Sequence, residues 1–124
     1  MGWPVRRAFN KFGAQRTDGF ASKGEAALFQ LLKLREQSGE IKDIRHPARV
    51  HLTCQIHWNV DFEFTFVKTR KKGWAEYKGF EDRRYRICKQ LWKGGFGPGL
   101  LEVWKGHYSS PRLVEIIKPK RSAK

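Results

Sequence analysis

The fold turns on the stretch His57-Trp58-Asn59-Val60-Asp61-Phe62-Glu63-Phe64-Thr65-Phe66-Val67. Behind it come the turn Lys68-Thr69-Arg70-Lys71-Lys72-Gly73 and the segment Trp74-Ala75-Glu76-Tyr77-Lys78. Val60, Phe62, Phe64 and Phe66 alternate with Asn59, Asp61, Glu63 and Thr65, the period of two that a strand imposes. The pattern predicts one long strand over 57–67, apolar on one face and polar on the other. The charged turn ending in Gly73 is too short for a crossover, so 74–78 is expected to return antiparallel beside it.

Working outward, Ser22 to Ser38 reads as a first helix. Ser22 caps it, Gly39 ends it, and Leu28, Phe29 and Leu32, with Leu31 beside them, form the buried stripe. A turn containing Asp43 follows, and His46-Pro47 stops any continuation. Ala48 to Cys54 reads as a strand. On the far side, Phe80 to Lys93 reads as a second helix. Ile87, Cys88, Leu91 and Trp92 make its apolar stripe, with Arg83, Arg86, Lys89, Gln90 and Lys93 outside. Gly94 to Gly99 breaks it; no Lys-Ser or Lys-Thr follows, so these glycines are a turn and not a phosphate loop. Leu100 to Trp104 is a strand, and Arg112 to Ile117 a last strand or short terminal element. The expectation is an α/β (α+β) layered domain with a mixed central sheet flanked by helices. It divides as a basic arm over 1–20, one domain over 21–117 and a basic tail over 118–124.

The 124 residues carry 26 Lys and Arg against 12 Asp and Glu, a formal charge of +14. Such an excess repels itself, and a phosphate backbone rewards each cation by releasing counterions, so nucleic acid is the expected partner. No apolar run approaches a membrane span, and no helix has the strong apolar face of a surface-bound one. Met1 to Asn10 lacks the apolar core of a secretory signal. Cys54 and Cys88 read as two reduced core thiols, which points to the cytoplasm. His46, His51, Cys54 and His57 lie close in sequence, but their spacing is not a paired zinc knuckle. Of the five tryptophans, Trp58, Trp74, Trp92 and Trp104 read as core or interface and Trp3 as exposed.

The chemistry is concentrated in the two central strands. Glu76 and Lys78 project from one face, with Tyr77 on the other. Asp61 on the neighbouring strand comes into register near Glu76. Two carboxylates brought together repel unless a cation lies between them, and a hard divalent ion suits oxygen ligands. A solvated pair on an edge strand is the other reading of the same spacing. Glu25 completes a capping box with Ser22; it also heads the inward stripe of the first helix, which aims it at the sheet.

The order Ser22-Lys23-Gly24-Glu25, then Val60-Asp61-Phe62, then Glu76-Tyr77-Lys78-Gly79 before a basic helix resembles the PD-(D/E)XK nuclease superfamily. Within it, the chain looks like small phage enzymes of the endonuclease I and Holliday junction resolvase type. The likeness spans roughly residues 10 to 105. Val60 stands where the family's usual proline precedes the aspartate. The resemblance implies a restriction-endonuclease-like core, with Glu25, Asp61 and Glu76 as metal or metal-water ligands and Lys78 assisting the attacking water. It further implies Mg²⁺ (or Mn²⁺), nicking of branched DNA, a homodimer and a phage-infected bacterial host. Arg83, Arg84, Arg86 and Lys89, with Lys71 and Lys72 of the charged turn, are candidates for phosphate contacts that position DNA without reading its sequence. For the helix residues, a solvated face is the competing reading.

Overall fold

The structure, a computed structural model, describes residues 20–120. The N-terminal arm up to residue 19, Trp3 within it, and residues 121–124 of the tail lie outside the described residues. The chain runs α1 (Lys23–Gln37), β1 (Ile41–Arg45), β2 (Ala48–Thr53), β3 (Ile56–Val60), β4 (Phe62–Phe66), β5 (Lys72–Tyr77), α2 (Arg83–Leu91), β6 (Leu100–Lys105) and β7 (Arg112–Ile117). Five strands form a mixed sheet in the order β1-β4-β5-β6-β7, and β2 with β3 makes a separate hairpin. Only β5 and β6 are parallel; the long connection they need is supplied by α2. The expected α+β architecture with a mixed sheet is therefore present.

The sheet separates two cores. Phe62, Phe64 and Ala75 face α1, where Leu28 and Leu32 are fully buried. Trp74, Leu101 and Val103 face the other way, onto the β2–β3 hairpin and α2 with Tyr85, Cys88 and Trp92. Trp58 meets Tyr85 and Trp92, and Trp74 meets Trp92, all edge-to-face at ring separations of 5.5–5.7 Å, a favoured aromatic geometry. On the α1 side, Arg35 clamps helix to sheet, its Nη1 and Nη2 donating to both oxygens of buried Glu102 on β6 at 2.9 and 3.0 Å. A buried carboxylate is tolerable when both its oxygens are paired in this way.

Several local readings change. The stretch 57–67 is not one strand. Val60 enters the hairpin's core while Phe62 enters the α1 core, both with no exposure. Residues two apart in a continuous strand share a face, so the chain must slip at Asp61, and it does so between β3 and β4. The turn at Asp43 is a bulge inside β1: Asp43 has φ 56°, and the β1–β4 register slips between Lys42 and Arg45, as an extra residue in a ladder requires. The second helix begins at Arg83, capped by the Asp82 side chain accepting from the Tyr85 N–H at 2.8 Å. Its buried stripe is Tyr85 and Cys88, leading to Trp92, while Ile87 is 44% exposed. The helix continues as a wide turn over Trp92–Phe96. Cys54 is exposed and only Cys88 is a core thiol. Phe20, counted with the arm, is buried against Phe29, Phe62 and His46.

Candidate active site

The slip at Asp61 creates the site. The β4–β5 ladder makes its last backbone pairing at Phe62 and Ala75. Beyond it, side chains take over the exchange. The Asp61 N–H donates to Glu76 Oε1 at 3.0 Å, and the Tyr77 N–H donates to Asp61 Oδ2 at 2.8 Å. Each carboxylate is thus fixed by a backbone amide of the other's strand. This arrangement needs Asp61 to leave regular strand geometry, since otherwise its N–H would serve the ladder.

Glu76 is 4% exposed. Its carboxyl is pushed above the usual range, first by burial and also by the negative charge of Glu25; Lys78 and the Asp61 amide oppose the shift. Asp61 is pushed up further, first by burial, then by Glu76 and Glu25, against the Tyr77 amide and Lys78. Lys78 Nζ stands 3.6 Å from Glu76 Oε2 and 5.1 Å above the Tyr85 ring. The contrast with Glu102 is direct: that buried acid has a bidentate arginine, whereas Asp61 and Glu76 share one lysine at longer range.

Glu25 is buried at the head of α1. The cap bond of the expected capping box is present, the Glu25 N–H donating to Ser22 Oγ at 3.1 Å. The Glu25 carboxylate lies 3.3 Å from His46 Nδ1, which also lies 3.0 Å from the Asp61 carbonyl oxygen. Because a carbonyl only accepts, Nδ1 carries the proton. His46 packs against both Phe20 and Phe62, and its ring nitrogen ties the head of α1 to the Asp61 junction. Gly24 and Tyr77 bring the two together: a Cβ on Gly24 would sit 2.0 Å from the Tyr77 ring, whose hydroxyl donates to the Gly106 carbonyl. The sequence pattern does not single out His46, Gly24 or Tyr77 for the site. The one signal it holds is Tyr77, flanked by the two candidate residues and assigned to the opposite face.

The structure therefore joins Asp61, Glu76 and Lys78, with Glu25 close enough to raise both acids. Among the described residues no group of three or more His, Cys, Asp or Glu side chains closes into a ready metal cage. The donors nonetheless fit a hard cation in kind: two mutually repelling carboxylates, Glu76 buried and Asp61 partly buried, each with one oxygen bound by backbone and the other, Asp61 Oδ1 and Glu76 Oε2, outside those bonds.

The basic candidates fare differently. Arg83 is exposed at the start of α2. Arg84 donates to the His57 carbonyl, Arg86 to the Glu81 carbonyl at 2.7 Å, and Lys89 pairs with Glu115 at 2.6 Å. Three of the four thus have structural partners as well. Lys71 and Lys72 are not at this site. Lys72 begins β5 with Lys71 just before it; the strand's rise sets Lys72 roughly 14 Å from Glu76, and Lys72 pairs with Glu63 at 3.1 Å. The histidines do not gather: His46 is at the acid site, while His51 and His57 meet at a tilt across the hairpin.

No protein-family model, curated protein or solved structure matches the chain. No helix among the described residues is long and apolar enough to cross a membrane.

Proposed function

We propose that the chain is a metal-dependent DNA endonuclease of the PD-(D/E)XK kind, acting on branched DNA in the cytoplasm of a phage-infected bacterium. The observation that carries the reading is the Asp61–Glu76 pair, a partly buried and a buried acid locked by each other's backbone with Lys78 beside them. Asp61 and Glu76 would hold the cofactor, and Glu25 adds negative charge from the helix side. A divalent ion, Mg²⁺ or Mn²⁺ in its place, supplies Lewis-acid polarisation of the phosphate when bound. Lys78 orients the attacking water through Nζ and offsets charge gathering on the phosphate. His46 keeps Glu25 against the Asp61 junction. Arg83 at the start of the next helix, with Arg84, Arg86 and Lys89, takes the flanking backbone. A homodimer accounts for paired nicks across a junction, because each copy brings one site.

A non-catalytic nucleic-acid binder is the second reading, because the formal charge of +14 serves binding without cutting equally well. One assay separates them. A labelled four-way junction and a linear duplex of the same sequence are incubated with Mg²⁺ or EDTA, using the wild type and Glu76→Gln. The nuclease reading expects Mg²⁺-dependent nicking of the junction, lost in the variant. Binding without nicking in Mg²⁺ or Mn²⁺ establishes the binder.

A further inference from the structure

A second feature lies at the opposite end of the central strands. The N-terminal ends of β5 and β6 open into a cleft of about 1370 Å³, larger than a usual small-molecule pocket. Its cations come from two distant stretches of sequence: Lys68 and Lys71 of the β4–β5 turn with Lys72 at the start of β5, and Lys118 from the segment after β7. Glu40 is the one acid in the lining, and it pairs with Arg35 at 2.7 Å, an arginine it shares with Glu102. Lys68, Lys71 and Lys118 have no ion pair among the described residues. Its apolar floor is the exposed Val67 with the partly exposed Phe66 and Leu100; Trp74 also borders the cleft but is 5% exposed.

We propose that this cleft is a second nucleic-acid surface, and that it takes a single-stranded segment. Four lysines against one arginine-paired acid leave the opening positive, and such an opening binds phosphates whatever the sequence. An apolar floor adds a function that a duplex cannot use, because a duplex hides its base faces; a single strand offers them for contact. The separation from Asp61 and Glu76 lets one copy hold a strand here while a different segment occupies the acid site. The proposal rests on nucleic acid being the partner and not on the chain cutting it.

The test is a binding titration in EDTA, which removes cutting from the readout. A fluorescein-labelled oligothymidylate of about twelve nucleotides and a duplex of equal length serve as probes, across a salt series. Two triple variants are compared with the wild type. K68A/K71A/K118A empties the cleft of its unpaired lysines. K33A/R49A/R112A removes the same charge from α1, β2 and β7. The cleft variant is expected to lose about tenfold in single-strand affinity and about 2 in the slope of log affinity against log salt, with a smaller loss for duplex; the control keeps a slope within about 0.5 of wild type. Equal losses in both variants, a larger loss for duplex, or no loss in the cleft variant would overturn the proposal, as would a wild type that fails to bind the single strand. Mg²⁺-dependent nicking by the same wild-type preparation is scored separately, so the nuclease reading stands or falls on its own result.

Discussion

At its C-terminal end β5 delivers Glu76 into a nearly closed space with another acid facing it; at its N-terminal end it delivers Lys72 into solvent, 59% of its side chain exposed. The two ends carry opposite charge and opposite solvation. At the open end, water screens the lysines, and their cost to the fold is small. At the closed end, burial and mutual repulsion make the ionised pair expensive, and the fold holds it in place with two backbone amides. A protein of this charge needs no help to attract a polyanion. What it has to build is a place where negative charge is concentrated and dry, and that place is the better guide to chemistry.

Substitutions can break this contrast. Glu76→Gln and Asp61→Asn are each expected to lower nicking by about 10³-fold or more while leaving DNA binding in place, measured by gel assay beside fluorescence anisotropy. Loss of binding in both, with the fold intact by circular dichroism, would strip Asp61 and Glu76 of a catalytic role. The same pair makes a stability prediction. In the unfolded chain both acids ionise in the ordinary range, whereas in the folded chain their pKa values are raised, Asp61 to about 8. Between those two limits the folded chain binds more protons than the unfolded one. The stability contributed is full below the ordinary carboxylate range and is lost as pH climbs towards 8. Glu25 enlarges the effect and Lys78 reduces it, while His46, touching Glu25 and the Asp61 carbonyl, faces the same space. In EDTA, the wild type should melt lower at pH 8 than at pH 5.5, and Asp61→Asn should melt several degrees above wild type at pH 8, at about 5 °C per kcal/mol. Asn keeps an oxygen for the Tyr77 amide, so the comparison isolates the charge.

Gly24→Ala comes next in size. Its new Cβ overlaps the Tyr77 ring, and overpacking of this kind costs about 1–3 kcal/mol, read by urea unfolding. It also pushes Glu25 away from the acid pair, so nicking should fall by more than the stability loss explains. Lys71→Ala at the open end is the smallest: no change in stability, and a salt slope lowered by about 1.

The alternation of Val60 to Phe66 and the spacing of Glu76 and Lys78 made the central sheet and most of the acid site legible. The slip at Asp61 was not, because Val60 and Phe62 are equally apolar and nothing local says that they enter different cores. β1 escaped because Asp43 sits at a positive φ in a bulge, and a bulge residue looks like a turn residue. Phe20 read as part of a basic arm because its partners, Phe29, His46 and Phe62, are distant in sequence. Lys71 and Lys72 were grouped with the second-helix arginines by charge alone, which carries no information about which end of a strand a residue occupies. His46 has no periodic pattern at all; its role comes from the contact of α1 with β5 that Gly24 permits.

The central claim is that Asp61 and Glu76 are held together to take a divalent cation. Titration of Mn²⁺ into the wild type and into Asp61→Asn/Glu76→Gln, with free ion followed by electron paramagnetic resonance at pH 8, tests it without any DNA. The account predicts Mn²⁺ binding by the wild type, competed by Mg²⁺ and absent from the double variant. Equal binding by the two proteins, or none by either, would contradict it.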